Sequence, residues 1–244
     1  MDKLHYCTQL PDGLCQLPSL ETLAIIDAPA IKSVGPEFQS PSSLAVGGGI
    51  DVTARSVVTF PNLSFLRLNG LSEWEEWDWE EESESETTEA MAMPALKELI
   101  ILSCKLACLP PGLASSRRHA LREVRLYKLS NLTYIENFPS VVQLKLFDCP
   151  KLKRISDLSK FQKIEILYCP NVEVLEGVPS LDNMELMDGT METIPEYLTT
   201  VTPRYFKLTC SEKLYKSLLT GSSSCEYHKI SHIKSCAIDY FRRR

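Results

Sequence analysis

Apolar residues recur along the chain in sets of three, in which the second and third residues follow the first by three and five positions. The alternation within each set is typical of a β-strand with one buried face. Successive sets begin 20 residues apart in the middle of the chain and up to 43 residues apart near its start. The pattern predicts about eight short strands, one in each repeat. The sets are Leu20/Leu23/Ile25, Leu63/Leu66/Leu68, Leu96/Leu99/Ile101, Leu121/Val124/Leu126, Val141/Leu144/Leu146, Phe161/Ile164/Ile166, Leu181/Met184/Leu186 and Tyr205/Leu208/Cys210.

The residues after each strand also repeat. Cys104, Cys149 and Cys169 each stand eight positions after the first apolar residue of their set, and apolar residues such as Leu152 and Ile155 follow at positions eleven and fourteen. This spacing is that of leucine-rich repeats, which stack because a single repeat cannot bury its apolar face alone. The sequence therefore predicts an α/β fold: a horseshoe-shaped leucine-rich repeat solenoid with a parallel concave sheet and a mostly irregular convex side.

The repeats divide the chain into two regions. Residues 1–210 are predicted to form the repeat array, with insertions at about 39–59 and 78–92 where the interval between sets is long. Residues 211–244 are predicted to be a C-terminal capping segment, because Ser211 can cap a helix whose apolar spacing continues to Leu219. Trp74 and Trp77 stand at apolar positions of their repeat and are expected to be buried.

Two columns of residues are predicted to point outward from the concave sheet, because strand side chains alternate between faces. The first column consists of the residues four positions after each first apolar residue. The charge of its side chains changes sign along the array, and the column ends at Thr209. The second column, six positions after each first apolar residue, is mostly apolar or aromatic and ends at Ser211. An exposed apolar stripe beside ordered charges is typical of a protein-binding surface. The predicted partner-binding residues are Arg67, Leu102, Arg125, Tyr127, Lys145, Phe147, Glu165, Leu167, Glu185 and Met187.

The negative charge of the chain is concentrated in one segment. The formal net charge is −6, but residues 73–89 contain ten of the 32 acidic residues and no Lys or Arg, so the remainder is net positive. The part from 80 to 89 is expected to be a solvated loop, with a regulatory contact to a basic surface as the alternative. The acidity therefore describes one segment and not the whole surface.

Composition also bears on the cellular compartment. The start of the chain lacks the basic and apolar regions of a secretory signal, and no apolar run is long enough for a membrane helix. The nine cysteines are consequently expected to be reduced thiols. These observations predict a protein of the cytoplasm or nucleus that does not bind membranes.

No pattern in the sequence indicates catalysis or a cofactor. Cys104 and Cys108 lack a second ligand pair, and His228 and His232 lack a third ligand, so we predict no metal site. No nucleophile motif is present, and Gly47-Gly48-Gly49 has no lysine to bind a phosphate. A basic stripe with interleaved aromatic residues is also missing. We therefore expect neither an enzyme nor a nucleic-acid-binding protein.

Two stretches near the N-terminus resemble a known family. The first stretch runs Leu17-Pro18-Ser19-Leu20-Glu21-Thr22-Leu23-Ala24-Ile25. The second stretch begins with Phe60-Pro61-Asn62-Leu63 and continues, ten residues later, with Trp74-Glu75-Glu76-Trp77. They look like the L-P-S-L-x-x-L-x-I and F-P-x-L then W-E-E-W repeats of plant intracellular immune receptors. The resemblance implies the C-terminal repeat domain of a coiled-coil, nucleotide-binding, leucine-rich repeat disease-resistance protein, of which this chain would be a fragment.

This resemblance implies a recognition module without chemistry of its own. Its expected partners are a pathogen effector or a guarded host protein, and in cis the nucleotide-binding (NB-ARC) domain of the same receptor, whose switch it would restrain. An alternative is the substrate-recognition array of a ubiquitin ligase subunit, which an upstream F-box-like helical module would favour. An extracellular receptor ectodomain is a third alternative, which the lack of a secretion signal and of paired capping cysteines disfavours.

Overall fold

The computed structural model describes residues 3–8, 10, 13–34, 58–77, 91–110, 113 and 120–242. The fold is α/β, with many short parallel strands and few helices. The two α-helices are α1 (Glu212–Leu219) and α2 (Cys225–His228). The strands are β1 (Thr22–Ile26), β2 (Ser33–Val34), β3 (Val58–Thr59), β4 (Phe65–Asn69), β5 (Glu76–Trp77), β6 (Met91–Ala92), β7 (Glu98–Cys104), β8 (Glu123–Leu129), β9 (Tyr134–Glu136), β10 (Gln143–Phe147), β11 (Arg154–Ser156), β12 (Lys163–Leu167), β13 (Val174–Leu175), β14 (Asn183–Met187), β15 (Tyr205–Cys210) and β16 (Cys236–Tyr240).

The main sheet contains one strand from each predicted repeat. Its nine strands run in the order β1-β4-β7-β8-β10-β12-β14-β15-β16, and every neighbouring pair is parallel. The register aligns the apolar sets, so that Leu144 faces Val124 on one side and Ile164 on the other. The side chains of the first seven sets form one continuous core, in which all are buried except Leu20, which is partly buried and packs against the others. The predicted parallel strands and their inward positions are confirmed for the first seven sets.

The residues that follow the strands are buried as predicted. Cys104, Cys149 and Cys169 are each less than 7% exposed, and Trp74 and Trp77 are also in the core. The residue directly before each of these cysteines has a positive φ, for example 56° at Asp148 and 54° at Tyr168, and the chain turns away from the sheet there. Outside glycine this conformation is uncommon, and its recurrence at one phase shows that the turn is part of the repeating unit.

The side opposite the main sheet contains more regular structure than the sequence indicated. Strands β9, β11 and β13 form a three-stranded parallel sheet, and β2-β5 and β3-β6 form two further parallel pairs. Each of these strands has only two or three residues, so period-two alternation cannot be detected in them. Strands β9, β11 and β13 form because the 20-residue repeats without insertions bring equivalent backbone groups side by side, as Ile155 faces Ile135.

The eighth strand has a different phase from the one predicted. Phe206 and Leu208 lie beside Met184 and Leu186, so the inward set begins two residues earlier than Tyr205. Lys207 and Thr209 therefore occupy the two outward columns, in place of the predicted Thr209 and Ser211. The pattern could not distinguish the two phases, because Phe206, Leu208 and Cys210 are all buried and alternate.

The C-terminal region contains a ninth strand as well as helices. Helix α1 begins after Ser211, whose hydroxyl accepts a hydrogen bond from the Leu214 backbone amide at 3.2 Å, and it buries Leu214 and Leu218. The strand β16 then pairs with β15 at the edge of the main sheet. Its alternation is weak in the sequence because its side chains remain largely exposed at this edge.

Two segments discussed from the sequence lie outside the described residues. One is the acidic segment from 80 to 89, and the other is nearly all of the insertion at 39–59, which includes Gly47-Gly48-Gly49. In the part of the chain that the structure describes, no helix has both the length and the apolar character that crossing a bilayer requires.

Candidate functional site

The outward side of the main sheet is here called the open face, and all ten predicted site residues lie on it. They are half-buried there, because the side chains of a strand alternate between its two faces and these residues lie on the outward one. The residues form two columns, and each column runs across neighbouring strands at equivalent positions of the register. The apolar row consists of Leu102, Tyr127, Phe147, Leu167 and Met187 on β7, β8, β10, β12 and β14. The charged column consists of Arg67, Arg125, Lys145, Glu165, Glu185 and Lys207, with the buried Ile100 between the first two.

Aromatic rings extend the apolar row toward the C-terminus of the chain. The ring centroids of Tyr127 and Phe147 are 6.4 Å apart, and those of Phe147 and Tyr168 are 5.4 Å apart. Phe241, which follows β16, lies 5.9 Å from Tyr168 and rests against Gly189, where a Cβ atom would approach its ring to 2.7 Å. The C-terminal segment therefore adds a ring at the ends of the strands that carry the row.

The charges on the open face are paired with one another across strands. The Arg125 guanidinium lies 3.2 Å from Glu98 on β7 and 2.7 Å from Glu123 on its own strand. The hydrogen bond to Glu123 raises the pKa of Arg125. Arg125 is therefore held in place by two carboxylates before any partner arrives.

A second group of charges surrounds Glu165. Its carboxylate lies 2.6 Å from the Lys145 ammonium on β10 and 2.8 Å from that of Lys163 on its own strand. Burial alone would raise the pKa of Glu165, but the hydrogen bonds from both lysines outweigh burial and lower it. The hydrogen bond to Glu165 correspondingly raises the pKa of Lys145. Glu165 is therefore ionised at neutral pH and joins two strands.

The two ends of the charged column differ. Glu185 pairs with Lys207 at 2.8 Å, which balances both charges and raises the pKa of Lys207. Arg67 makes no ion pair with a described residue, and its Nε atom is buried without a hydrogen-bond partner. Among the cations of the charged column, Arg67 is thus the one that makes no ion pair within the described part of the chain.

Several residues of this surface were not predicted from the sequence. Glu98, Glu123 and Lys163 stand two positions before the charged column, and the alternation of strand side chains could have identified them. Lys207 was missed because of the two-residue phase error in β15. No sequence signal places Phe241 beside Tyr168, because that contact depends on how the chain returns to the sheet.

The structure gives no support to a metal site in its described part, where no group of three or more His, Cys, Asp or Glu side chains could hold an ion. The Nε2 atoms of His228 and His232 lie within hydrogen-bond distance of the backbone oxygens of Ser222 and Val201. A cavity of about 310 Å³ opens at the other end of the strands, between Lys163 on β12 and Ala237 on β16.

Comparison with known proteins adds no relative. No protein-family model matches the chain. No curated protein and no solved structure matches it significantly. Function is therefore inferred from the repeat pattern and the geometry of the open face.

Proposed function

We propose that the chain is a leucine-rich repeat solenoid that recognises another protein through the open face. In this proposal it is the recognition module of a cytoplasmic plant immune receptor, which binds a pathogen effector or a guarded host protein and restrains the NB-ARC switch of the same receptor. The resemblance of the N-terminal repeats supports the choice of family. The mode of recognition is supported by the open face itself.

The apolar row is the observation that carries the proposal. Its five large side chains lie on five neighbouring strands and remain partly exposed. Apolar side chains arranged on a rigid sheet lose little conformational entropy when a partner covers them, and large ones dominate binding free energies. A flat row of this kind is suited to a protein surface and not to a small molecule, which needs an enclosed cavity.

The mechanism requires only differential binding. A partner that contacts the open face in one state of the receptor and not in the other shifts the equilibrium between them. No bond is made or broken by this domain. The NB-ARC domain and the effector would then compete for, or share, the same surface.

Cross-linking tests the proposed surface directly. A photo-reactive amino acid in place of Phe147, in the full receptor in plant cells, should cross-link to a protein partner. The matched control replaces Lys153, an exposed residue beside β11 on the opposite side of the repeats. Equal cross-linking from both positions, or none from Phe147, would contradict the proposal.

Truncating the apolar row should weaken the binding of the partner identified in this way. Replacing Tyr127 or Phe147 by alanine is expected to cost about 2 kcal/mol of binding free energy, or about thirtyfold in affinity. Unfolding should remain cooperative, because neither side chain belongs to the buried core. Calorimetric titration and thermal unfolding measure the two effects, and an affinity within twofold of the unmodified protein would exclude the apolar row.

The family is tested by the coding sequence upstream. A nucleotide-binding motif there would support the immune-receptor proposal. An F-box-like helical module in the same place would instead support the ubiquitin ligase alternative. The two outcomes leave the cross-linking result unaffected, so family and surface are tested separately.

A further inference from the structure

A larger cavity lies between the sixth and seventh repeats, beyond the ends of β12 and β14. Its volume is about 590 Å³, and its lining extends from Cys169 in the sixth repeat to Tyr197 in the seventh. Cavities that bind small organic molecules have volumes of roughly 300 to 1,000 Å³. This cavity is therefore large enough for such a molecule, and the residues of the apolar row do not line it.

The sequence of the seventh repeat explains why this space is open. Gly189 stands at the position that Cys149 and Cys169 occupy in the two preceding repeats. The small sheet β9-β11-β13 ends at the sixth repeat, and the seventh repeat continues with a 3₁₀ helix at Glu196–Thr199. Two repeats that follow different paths cannot stack closely along their whole length, so space remains between them.

Helix α2 holds the wall that the seventh repeat contributes to the cavity. The Lys229 ammonium donates to the backbone oxygen of Ile194 at 3.0 Å and pairs with Glu196 at 2.6 Å. The Glu226 carboxylate accepts a hydrogen bond from the backbone amide of Ile194. The cavity is thus preformed, and a ligand would bind without the cost of ordering this wall.

Asp188 brings a buried carboxylate to the cavity. The residue is 6% exposed, and its Oδ1 atom accepts hydrogen bonds from the Thr190 backbone amide at 2.8 Å and from the Thr190 hydroxyl at 2.7 Å. Within the described part of the chain, no cation pairs with Asp188, and Oδ2 is left for a ligand. A buried carboxylate without a cation is costly, so a positively charged ligand is favoured.

The other charged side chains of the lining do not oppose a cation. Lys229 lines the cavity, but it is shared by Glu196 and Glu226. Glu173 and Glu192 are exposed residues of the lining, and Glu192 pairs with Lys213 at 2.7 Å. The described residues that line the cavity thus include four carboxylates and one ammonium group.

Tyr197 supplies a second polar group beside apolar walls. The residue is 6% exposed, and its hydroxyl makes no hydrogen bond with a described residue. Burial raises the pKa of Tyr197, so the phenol is neutral and its oxygen can accept a hydrogen bond. Val172, Leu186 and Met191 contribute apolar surface to the same cavity. These groups together suit an ammonium ion that is attached to an apolar body.

We propose that this cavity binds a primary ammonium ion with an apolar body. The ammonium group pairs with Asp188, and the body contacts the apolar walls at Val172 and Met191. An amine that is free in the cell and the lysine side chain of a protein partner share this chemistry, and the test below distinguishes them. The site is separate from the open face and does not depend on the proposed function.

The test uses the full chain with ¹³C-labelled methionine methyl groups, because Met191 lines the cavity. Tryptamine is a cation at neutral pH, and tryptophol has the same shape without the charge. Tryptamine should shift the Met191 resonance saturably and bind at least about tenfold more tightly than tryptophol, since only the amine can pair with a carboxylate. The resonance of Met93, which is buried in another repeat, should not move. Equal affinities, or no shift with either compound, would overturn the proposal.

Substitutions connect the preference to the residues named. Asp188→Asn keeps an oxygen that accepts from Thr190 and removes the charge, so it should abolish the preference for tryptamine. Asp148→Asn is the matched control, because Asp148 occupies the same position two repeats earlier but is exposed, and it should leave the preference unchanged. Tyr197→Phe should weaken tryptamine binding about threefold. An unaltered preference in Asp188→Asn would overturn the assignment. If Asp188→Asn fails to fold, the comparison of the two compounds on the unmodified protein still decides whether charge is recognised.

A peptide distinguishes the two sources of the ammonium group. Acetyl-Leu-Lys-Leu-amide and its Nε-acetylated form are titrated against the same Met191 resonance. Tighter binding of the lysine peptide than of tryptamine, lost on acetylation, would identify a lysine of a protein partner as the ligand. Tighter binding of tryptamine would identify a free amine. Failure of both to bind would overturn the proposal.

Discussion

At the scale of single residues, the cysteines connect neighbouring repeats. The backbone amide of Cys149 donates to the Cys169 sulfur at 3.4 Å, and the Cys149 thiol lies 3.9 Å from the backbone oxygen of Leu126. Each thiol thus meets polar backbone groups inside an otherwise apolar core, where an unpaired amide would be costly. A small side chain with a weak donor and acceptor suits this position.

The buried thiols should resist modification in the native state. Burial raises the pKa of Cys104 to about 11, and the hydrogen bond with Cys149 raises the pKa of Cys169, so few thiolates form at these two residues. The same hydrogen bond lowers the pKa of Cys149, whose protection therefore comes from its complete burial. Mass spectrometry after brief alkylation should find Cys225, which is exposed, modified first. Cys104, Cys149 and Cys169 should react only after denaturation. Rapid native modification of Cys149 would show that the turn opens.

Glu165 should make stability depend on pH. Its folded pKa is lowered, so its ionised form stabilises the fold at neutral pH, and that contribution is lost as the pH falls through the folded value, below the ordinary 4.5. Glu165→Gln should cost about 1 kcal/mol at pH 7, since the site is partly exposed. Urea unfolding at pH 7 and pH 3 should show the cost shrinking. A constant difference would indicate a packing effect.

At the scale of elements, the end of the sheet depends on a close contact. The strand β16 is paired on one side with β15, and Phe241 beyond it rests against Gly189 after β14. An edge strand with exposed side chains gains little from burial. The contact of Phe241 is therefore expected to hold this strand in place.

Gly189→Ala should loosen the C-terminal strand. The added Cβ would lie 2.7 Å from the Phe241 ring, so the ring must move. Hydrogen exchange at residues 236–240 should accelerate, while exchange in β10 and β12 stays slow. The double variant with Phe241→Ala should add little to the effect of either change, because both disrupt one contact. Additive effects would show that Gly189 acts elsewhere.

At the scale of the whole molecule, the charged residues fall into two groups of different balance. The described open face balances most of its charges internally, whereas ten acidic residues lie in residues 73–89. Reversing Arg125 to glutamate would place three carboxylates together, so its expected effect includes a loss of stability as well as slower association. Neutral substitutions are accordingly the better probes of binding.

Deleting residues 80–89 should leave the free energy of unfolding nearly unchanged. The segment contains mostly acidic and small polar residues and has little apolar surface to bury. Trp74→Ala is the matched comparison, because Trp74 is fully buried, and it should cost about 3 to 5 kcal/mol. Chemical denaturation of both variants measures the difference. A loss of several kcal/mol on deletion would show that the segment packs against the repeats.

The strands of the main sheet, their inward residues and the outward columns from Arg67 to Met187 could be predicted from the sequence, because the local spacing of apolar residues within each repeat shows which side chains are buried. The phase of β15 could not, since a shift of two residues leaves the alternation unchanged. The pairing of β16 at the edge of the sheet also depends on the tertiary structure. It also decided which charges pair, as Lys145 and Lys163 do with Glu165, because such contacts depend on which strands become neighbours and in what register.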